Sequence, residues 1–263
     1  MSKTIRTLIL FCAPLFVGVL NIFHPVHFGP TGIYEDIHRV AGWWITLHVL
    51  NLFGFALLGL AAYLLMLDQH GIAATVAKIA LVVFVPAYAG FDSVIGIGTG
   101  NLVQYANRLQ PDQLAAFLPA IDAYWVNGIA TMLAIIGSVS WTFAMSASAI
   151  SFAESRRVAA VALGVIAGGF TGWGYSSSMF GTLPWWIGVA VIGAISMLVV
   201  RPALPYTLLI LAGILFGTTH VVPFGPLGMA CFAAAVALLQ SAPRTARVPQ
   251  AGSQPTARRT DAV

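Results

Sequence analysis

Histidine and carboxylate side chains concentrate in one stretch of this chain, residues 21–51. That stretch holds four of the six histidines and two of the eight acidic residues. Imidazole and carboxylate together form the ligand set of zinc, copper, nickel and non-haem iron. Imidazole also gains and loses protons near neutral pH. The stretch therefore indicates either a metal centre or a proton relay.

Three ionisable residues fall within or at the ends of strongly apolar runs, namely His48, Asp92 and His220. An ionisable group at that depth in a membrane is costly and marks a functional site by default. On a helix, His48 shares one face with Trp44 and Asn51. Asp92 lies on the next apolar run at a similar depth, so we predict a His48–Asp92 pair. The pair either only locks two helices or lets Asp92 orient a ligating or proton-carrying His48.

A nine-residue segment occurs twice in the chain. Residues 24–32, HPVHFGPTG, align without gaps on residues 220–228, HVVPFGPLG, with six identical positions. Each copy ends one apolar run and begins the next. Turn chemistry alone can favour F-G-P-x-G at a tight reversal. If the repeat reflects symmetry, His24 and His220 occupy equivalent places and face each other.

The candidate metal ligands are the histidines and carboxylates predicted on one membrane face: His24, His48, Asp92, His220, Glu35 and His38. Glu35 and His38 have E-x-x-H spacing, which suits one helical turn, and we expect them to close the pocket from the loop. The cofactor predicted from this set is a transition metal ion or one haem. A second haem is not expected, because only His48 lies in the middle of a predicted helix.

The composition is that of an integral membrane protein. Of 263 residues, 59% are hydrophobic and only 8% are charged, which leaves too little polar surface for a soluble domain. The predicted fold is an all-α bundle of about eight transmembrane helices in one polytopic domain, residues 1–240. The predicted spans are residues 5–23, 40–67, 72–98, 125–152, 158–176, 185–200, 206–221 and 227–239.

Basic residues give the predicted orientation. With the N-terminus inside, ten of the twelve Lys and Arg residues fall on the inner side, leaving only Arg39 and Arg108 outside. Both termini are then cytoplasmic, the histidine-rich loop faces outward, and we expect a multi-pass protein of a bacterial-type inner membrane. Basic residues scattered at helix ends form no patch for nucleic acid. The lipid bilayer is the expected partner.

Two further segments have recognisable patterns. Between the third and fourth spans, Leu114, Phe117, Leu118, Ile121 and Trp125 recur at helical spacing, which predicts an amphipathic helix in the outer interface. A simple extension of the fourth span is the alternative. Residues 241–263 combine Pro, Gly, Ser and Thr with four arginines, which predicts a disordered basic cytoplasmic tail.

Glycines dominate the fifth predicted span, where Gly164, Gly168 and Gly172 recur every fourth residue. Small residues let helix backbones approach closely in lipid. These glycines therefore predict helix packing, either within the bundle or across a dimer, and the oligomeric state stays open.

Three classes of function fit the sequence. The first is a membrane protein with an outer-side histidine and aspartate pocket for a transition metal or one haem. The second is a proton-coupled transporter that uses His48 and Asp92. The third is a structural or assembly subunit that contacts a partner through Gly168. The chain has no H-E-x-x-H, G-x-S-x-G or Walker motif, which argues against zincin-type and serine hydrolases and against an ATP-driven cycle. Other enzymatic activity is left open.

Overall fold

The computed structural model describes residues 1–25, 32–152 and 204–241, with six single residues between the last two ranges. Most of the predicted spans 158–176 and 185–200 lies outside the described residues, as do Gly164, Gly168 and Gly172 and the tail beyond Ser241. Residues 26–31 are also outside them. In the described part, every regular element is helical.

Nine α-helices are described: six long helices of 15–25 residues that build the bundle, and three others of 5–15 residues that lie at one end of it. The long helices are α1 (Lys3–Ile22), α3 (Ala41–Leu65), α4 (Ile72–Phe91), α7 (Gly128–Phe152), α8 (Leu204–Thr218) and α9 (Phe224–Ser241). The three others are α2 (Ile33–Ile37), α5 (Thr99–Ala106) and α6 (Pro111–Trp125). A π-helical segment, Asp92–Gly98, joins α4 to α5.

Five of the described helical stretches are long and apolar enough to cross a membrane: Lys3–Ile22, Ala41–Leu65, Ile72–Ala106, Pro111–Phe152 and Phe224–Ser241. Helix α8 is equally apolar, but its 15 described residues fall short of the roughly 20 that a span needs. The chain is thus an all-α protein with the helices of a membrane protein. Eight spans and the inward termini stay predictions.

The six long helices form a closed ring. Each packs against two neighbours, in the order α1, α3, α4, α7, α8, α9 and back to α1. Small residues allow the close approaches: a Cβ at Gly18 would lie 3.1 Å from Cβ of Met229, and one at Gly54 would lie 3.0 Å from Cγ2 of Val17. These contacts hold α1 against α9 and α3.

Aromatic side chains fill the interior of this ring. Six from α3, α4, α7, α8 and α9 have no exposed surface: Phe55, Phe84, Tyr88, Trp141, Phe216 and Phe232. Their rings meet edge-on or tilted, with centroids 4.9 Å apart for Phe55 and Tyr88 and 5.0 Å for Phe84 and Trp141. Such contacts add to the packing that holds the bundle together. They form an apolar floor beneath the site described below.

Helices α2, α5 and α6 pack on one another and form a cap over one end of the ring. Ile33, Ile37, Trp44, Val103 and Ile121 are the larger side chains of its buried cluster. The apolar face predicted for residues 114–125 packs against this cluster, so α6 rests on protein through that face. Helix α6 ends before α7 begins at Gly128, so the two are separate helices.

The opposite end of the ring carries an ion pair and hydrogen bonds from basic side chains near the helix termini. Arg6 on α1 donates to Asp68 Oδ2 and to the Leu64 carbonyl, at 2.7 Å each. Lys78 on α4 donates to the Gln69 carbonyl at 3.1 Å. These contacts are partly exposed and contribute little stability. Their basic residues belong to the set predicted on the inner side.

Candidate metal centre

Four ionisable side chains meet at the capped end of the ring: His24, His48, Asp92 and His220. Their exposed fractions are 7%, 3%, 1% and 5%. Nε2 of His24 lies 3.3 Å from Nε2 of His220. Asp92 Oδ1 lies 3.8 Å from His48 Nε2 and 3.7 Å from His220 Nε2. One ring nitrogen from each histidine lies within 4.8 Å of the others, an arrangement that can hold a metal ion.

Each of the four residues comes from a different part of the ring. His24 and His220 each lie two residues beyond the end of a helix, α1 and α8 respectively. His48 lies on α3, and Asp92 opens the π-helical segment after α4. The two repeated segments therefore bring His24 and His220 face to face, as the internal repeat predicted. The predicted approach of His48 and Asp92 also agrees with the structure.

The π-helical segment fits the backbone to His48. Gly96 lies against the imidazole so closely that a Cβ there would collide with the ring. The carbonyl of Gly96 accepts a hydrogen bond from Trp44 Nε1 at 2.7 Å. A widened helical turn of this kind is often found at functional sites. Here it brings Asp92 and the Gly96 backbone to the same side of α3.

The Nδ1 atoms of the three histidines are occupied by neighbouring oxygens. His48 Nδ1 lies 2.7 Å from the Trp44 carbonyl, and His24 Nδ1 is bonded to the Pro25 carbonyl. His220 Nδ1 lies 3.3 Å from the Tyr88 hydroxyl. A carbonyl only accepts, so Nδ1 of His24 and His48 must carry the proton. Their Nε2 lone pairs are then free to bind a metal, the usual arrangement for ligating histidine.

Asp92 is a buried acid whose nearest basic neighbours are His48 and His220, beyond hydrogen-bonding distance. Within the described part of the chain, neither of its oxygens has a hydrogen-bond partner. A buried, unpaired carboxylate is among the least favourable groups in a protein interior. Unsatisfied buried groups call for a specific explanation, and an ion or water is a common one.

The two histidines outside the helices are held neutral. Burial lowers the pKa of His24 to about 4, against a smaller opposing effect of its hydrogen bond to Pro25. Burial also lowers the pKa of His220 well below its usual range, and the neighbouring His24 and His48 lower it further. Neutral imidazole is the form that binds metals.

Aromatic rings enclose the four side chains. The Trp44 ring centroid lies 4.5 Å from that of His48 and 5.2 Å from that of His24. Phe55 and Tyr88 each stand edge-on to His220, at 5.7 Å. Trp44 also belongs to the buried cluster of the cap. An apolar environment of this kind has a low effective dielectric constant, which strengthens electrostatic interactions inside it.

Glu35 lies on α2 and His38 directly follows that helix, and both are outside this group of three histidines. Glu35 is exposed, and His38 is partly exposed. Nδ1 of His38 contacts the carbonyls of Tyr34 at 3.2 Å and Glu35 at 3.0 Å, and its ring stacks on that of Tyr34. Closure of the pocket by Glu35 and His38 therefore stays a prediction.

No family model, no curated protein and no solved structure matches this chain. Its function is therefore inferred from the chemistry of the four side chains and their neighbours. Two of those neighbours were missed by the sequence analysis. Tyr88 lies one helical turn before Asp92, and Asn21 lies three residues before His24. A polar residue within an apolar run, close to an ionisable one, is the signal that could have found both.

Asn21 and Asn51 fix the register of α1 against α3. Both are fully buried and exchange side-chain hydrogen bonds, 3.1 Å in one direction and 3.2 Å in the other. Each lies three residues from a site histidine, Asn21 from His24 and Asn51 from His48. The amide pair therefore holds the two imidazoles at the same level of the bundle.

Replacing one member of this pair is expected to destabilise the protein. Asn21→Ala leaves the Asn51 amide unsatisfied, and the free energy of unfolding should fall by about 1 kcal/mol. The measurement is unfolding by a denaturing detergent in mixed micelles. Thr46→Ala is the control, since exposed Thr46 bonds only the Gly42 carbonyl of its own helix. Equal stability of the two variants would contradict the assigned role.

Gly96→Ala is expected to displace the His48 ring, because the new methyl group would occupy the same space. A misplaced ligand should weaken metal binding by about 10- to 100-fold, the range seen when ligand orientation is disturbed. Gly42→Ala on α3 is the matched control, since its Cβ would meet only Gln104 Nε2 at 3.8 Å. Metal titration of both purified variants checks this. Unchanged affinity in Gly96→Ala would rule out a positioning role for Gly96.

Proposed function

We propose that this chain is a multi-pass membrane protein that binds one divalent transition metal ion, with Zn²⁺ the best fit. His24, His48 and His220 supply the nitrogen ligands, and Asp92 supplies the balancing negative charge. The observation that carries the proposal is the buried Asp92 carboxylate beside the three imidazoles, which has no hydrogen-bond partner among the described residues.

Neither protonation state of Asp92 is satisfied by the residues that the structure describes. An ionised carboxylate at this depth needs a positive partner or several donors. A protonated one needs an acceptor within hydrogen-bonding distance, yet the nearest site nitrogens lie 3.7 and 3.8 Å away. A divalent ion between the rings supplies the missing charge. It would also accept a lone pair from each imidazole, in place of the contact between the Nε2 atoms of His24 and His220.

The spacing of the donors suits a single small ion. With zinc–nitrogen bonds of about 2.0–2.1 Å in a tetrahedral site, neighbouring ligand atoms are separated by about 3.3 Å. The two Nε2 atoms of His24 and His220 are 3.3 Å apart. Two imidazoles with free Nε2 lone pairs at that distance repel each other unless a proton or a cation lies between them.

The donor types select among metals. Three imidazoles and a carboxylate suit Zn²⁺, Cu²⁺, Ni²⁺ or Fe²⁺, whereas Cu⁺ favours the sulfur of Cys or Met. Both cysteines are elsewhere: Cys12 is exposed on α1, and Cys231 lies on α9 among apolar side chains of the main core. Among the remaining metals, Zn²⁺ accepts a low-coordinate nitrogen and oxygen site most readily.

A haem fits less well than a bare ion. The axial ligands of a haem iron stand on opposite faces of the porphyrin, with the macrocycle between them. His24 and His220 approach too closely for that arrangement. The ring of His48 is enclosed by Trp44 and by the Gly96 backbone. A single ion is therefore the cofactor that we propose.

Elemental analysis of the detergent-purified protein tests the proposal. We expect about one zinc per chain in the wild-type protein and its loss in His48→Ala. His70→Ala is the matched control, because His70 is exposed in the turn before α4. Equal metal content in wild type and His48→Ala would contradict the proposal.

A second candidate function is proton movement through the same group. Asp92 lies within 4 Å of the imidazoles of His48 and His220, and His220 in turn contacts the Tyr88 hydroxyl. This series of neighbouring ionisable groups favours proton movement. In vesicles loaded with a pH-sensitive dye, the relay predicts proton flux that Asp92→Asn abolishes. A metal-loaded protein without such flux would leave the metal centre as the function.

A further inference from the structure

Asp92 stands to one side of the three histidines. Its Oδ1 approaches His48 and His220 at 3.8 and 3.7 Å, longer than the 3.3 Å between the Nε2 atoms of His24 and His220. The nitrogens of His24 and His220 thus have the spacing of adjacent ligands on one ion, about 3.3 Å. The Asp92 carboxylate stands slightly farther from its two histidine neighbours.

Asp92 also has more acceptor capacity than one ion can satisfy. Both of its oxygens lack a hydrogen-bond partner in the described residues, and an ionised carboxylate offers about four lone-pair sites. An ion held by three imidazoles can contact one oxygen directly. The other oxygen would still be buried and unpaired, with the full desolvation penalty of that group.

We propose that the ion carries an exchangeable oxygen ligand, a water molecule, and that Asp92 accepts hydrogen bonds from it. This inference rests on the metal site proposed above. Such a water would lie between the ion and the Asp92 carboxylate. It also donates to the oxygens that are otherwise unsatisfied. Three protein ligands and a water are the arrangement of an open, Lewis-acid zinc site.

The chemistry of such a site follows from the position of Asp92. A bound ion would make this water more acidic, and the Asp92 carboxylate beside it would be placed to accept its proton, with no change of oxidation state. A closed four-ligand site could not take up any external ligand. The open site accepts small anions and oxygen donors in place of the water.

Cobalt spectroscopy with azide distinguishes the two arrangements. Co²⁺ replaces the native metal and reports its ligands through visible absorption, and azide is a small anion that displaces bound water. We expect azide to shift the visible bands of the wild-type cobalt protein in a saturable way, with cobalt staying at one per chain. His70→Ala should respond identically, because His70 lies in an exposed turn outside the site.

The opposite pattern would overturn the inference. If Asp92 is itself the fourth ligand, azide leaves the wild-type bands unchanged and shifts them only in Asp92→Ala, where a position has been opened. An absence of response in both proteins would also overturn it. Failure of the wild-type protein to bind cobalt at all is a separate result, which contradicts the proposed metal site rather than the open position.

Discussion

Removing the metal is expected to lower the midpoint of thermal unfolding by about 10 °C. A ligand that binds only the folded state stabilises it by about 4 kcal/mol when its concentration is 1,000 times its dissociation constant. For a chain of this size, each kcal/mol shifts the midpoint by about 2–4 °C. The structure gives a second reason to expect a lower midpoint. Without metal, the Asp92 carboxylate has no hydrogen-bond partner among the described residues.

The measurement is a melting curve in detergent, before and after dialysis against a strong chelator and again after zinc is returned. His220→Ala is the informative comparison, because it lacks one ligand of the proposed site. Its midpoint should already be low and should not respond to the chelator. An identical chelator-induced shift in His220→Ala would mean that the stabilising metal binds elsewhere.

Asp92→Asn is expected to move metal affinity and metal-free stability in opposite directions. Removing the negative charge should weaken metal binding by about 100-fold, at the upper end of effects seen for groups that orient or balance a metal site. Without metal, the variant should be more stable than wild type by about 1–3 kcal/mol, since a buried unpaired carboxylate is gone. Few substitutions give such a pair of effects.

Both quantities can be measured on the same preparation, by zinc titration and by detergent-induced unfolding of the stripped protein. Ser93→Ala is the neighbouring control, because Ser93 bonds only the Ala89 carbonyl of its own helix. Loss of metal-free stability in Asp92→Asn would indicate that Asp92 already has a favourable partner. In that case the carboxylate would be a structural residue and the metal would not be needed to explain it.

Much of the site was accessible from the sequence because membranes exclude unpaired charge. His48 and Asp92 stood out as ionisable residues in apolar runs, and the requirement for a partner predicted their approach. The repeated segment led us to expect that His24 and His220 face each other if the repeat reflects symmetry. Their Nε2 atoms are 3.3 Å apart.

Other features depend on packing that no local pattern encodes. The π-helical segment that begins at Asp92 packs against α3. Gly96 matters there because its backbone lies against the ring of His48. Asn21 is linked to the site through its hydrogen bond to Asn51 across the helix interface. Spacing along one helix cannot reveal which residue of another helix lies opposite.

The cap shows the same division. An amphipathic helix over residues 114–125 was predicted from spacing alone, and that apolar face is present in α6. Spacing could not distinguish a face that rests on lipid from one that rests on protein. In the structure this face packs against the cluster around Ile33 and Val103. Trp44 then joins the cap to the imidazoles of His24 and His48.

X-ray absorption at the zinc edge tests the central claim most directly, on the purified protein refilled with one equivalent of Zn²⁺. A site built by His24, His48 and His220 predicts four nitrogen or oxygen neighbours at about 2.0–2.1 Å. About three of them should show the outer-shell scattering of imidazole. Sulfur neighbours, or zinc without imidazole scattering, would contradict the assignment of these three histidines as ligands.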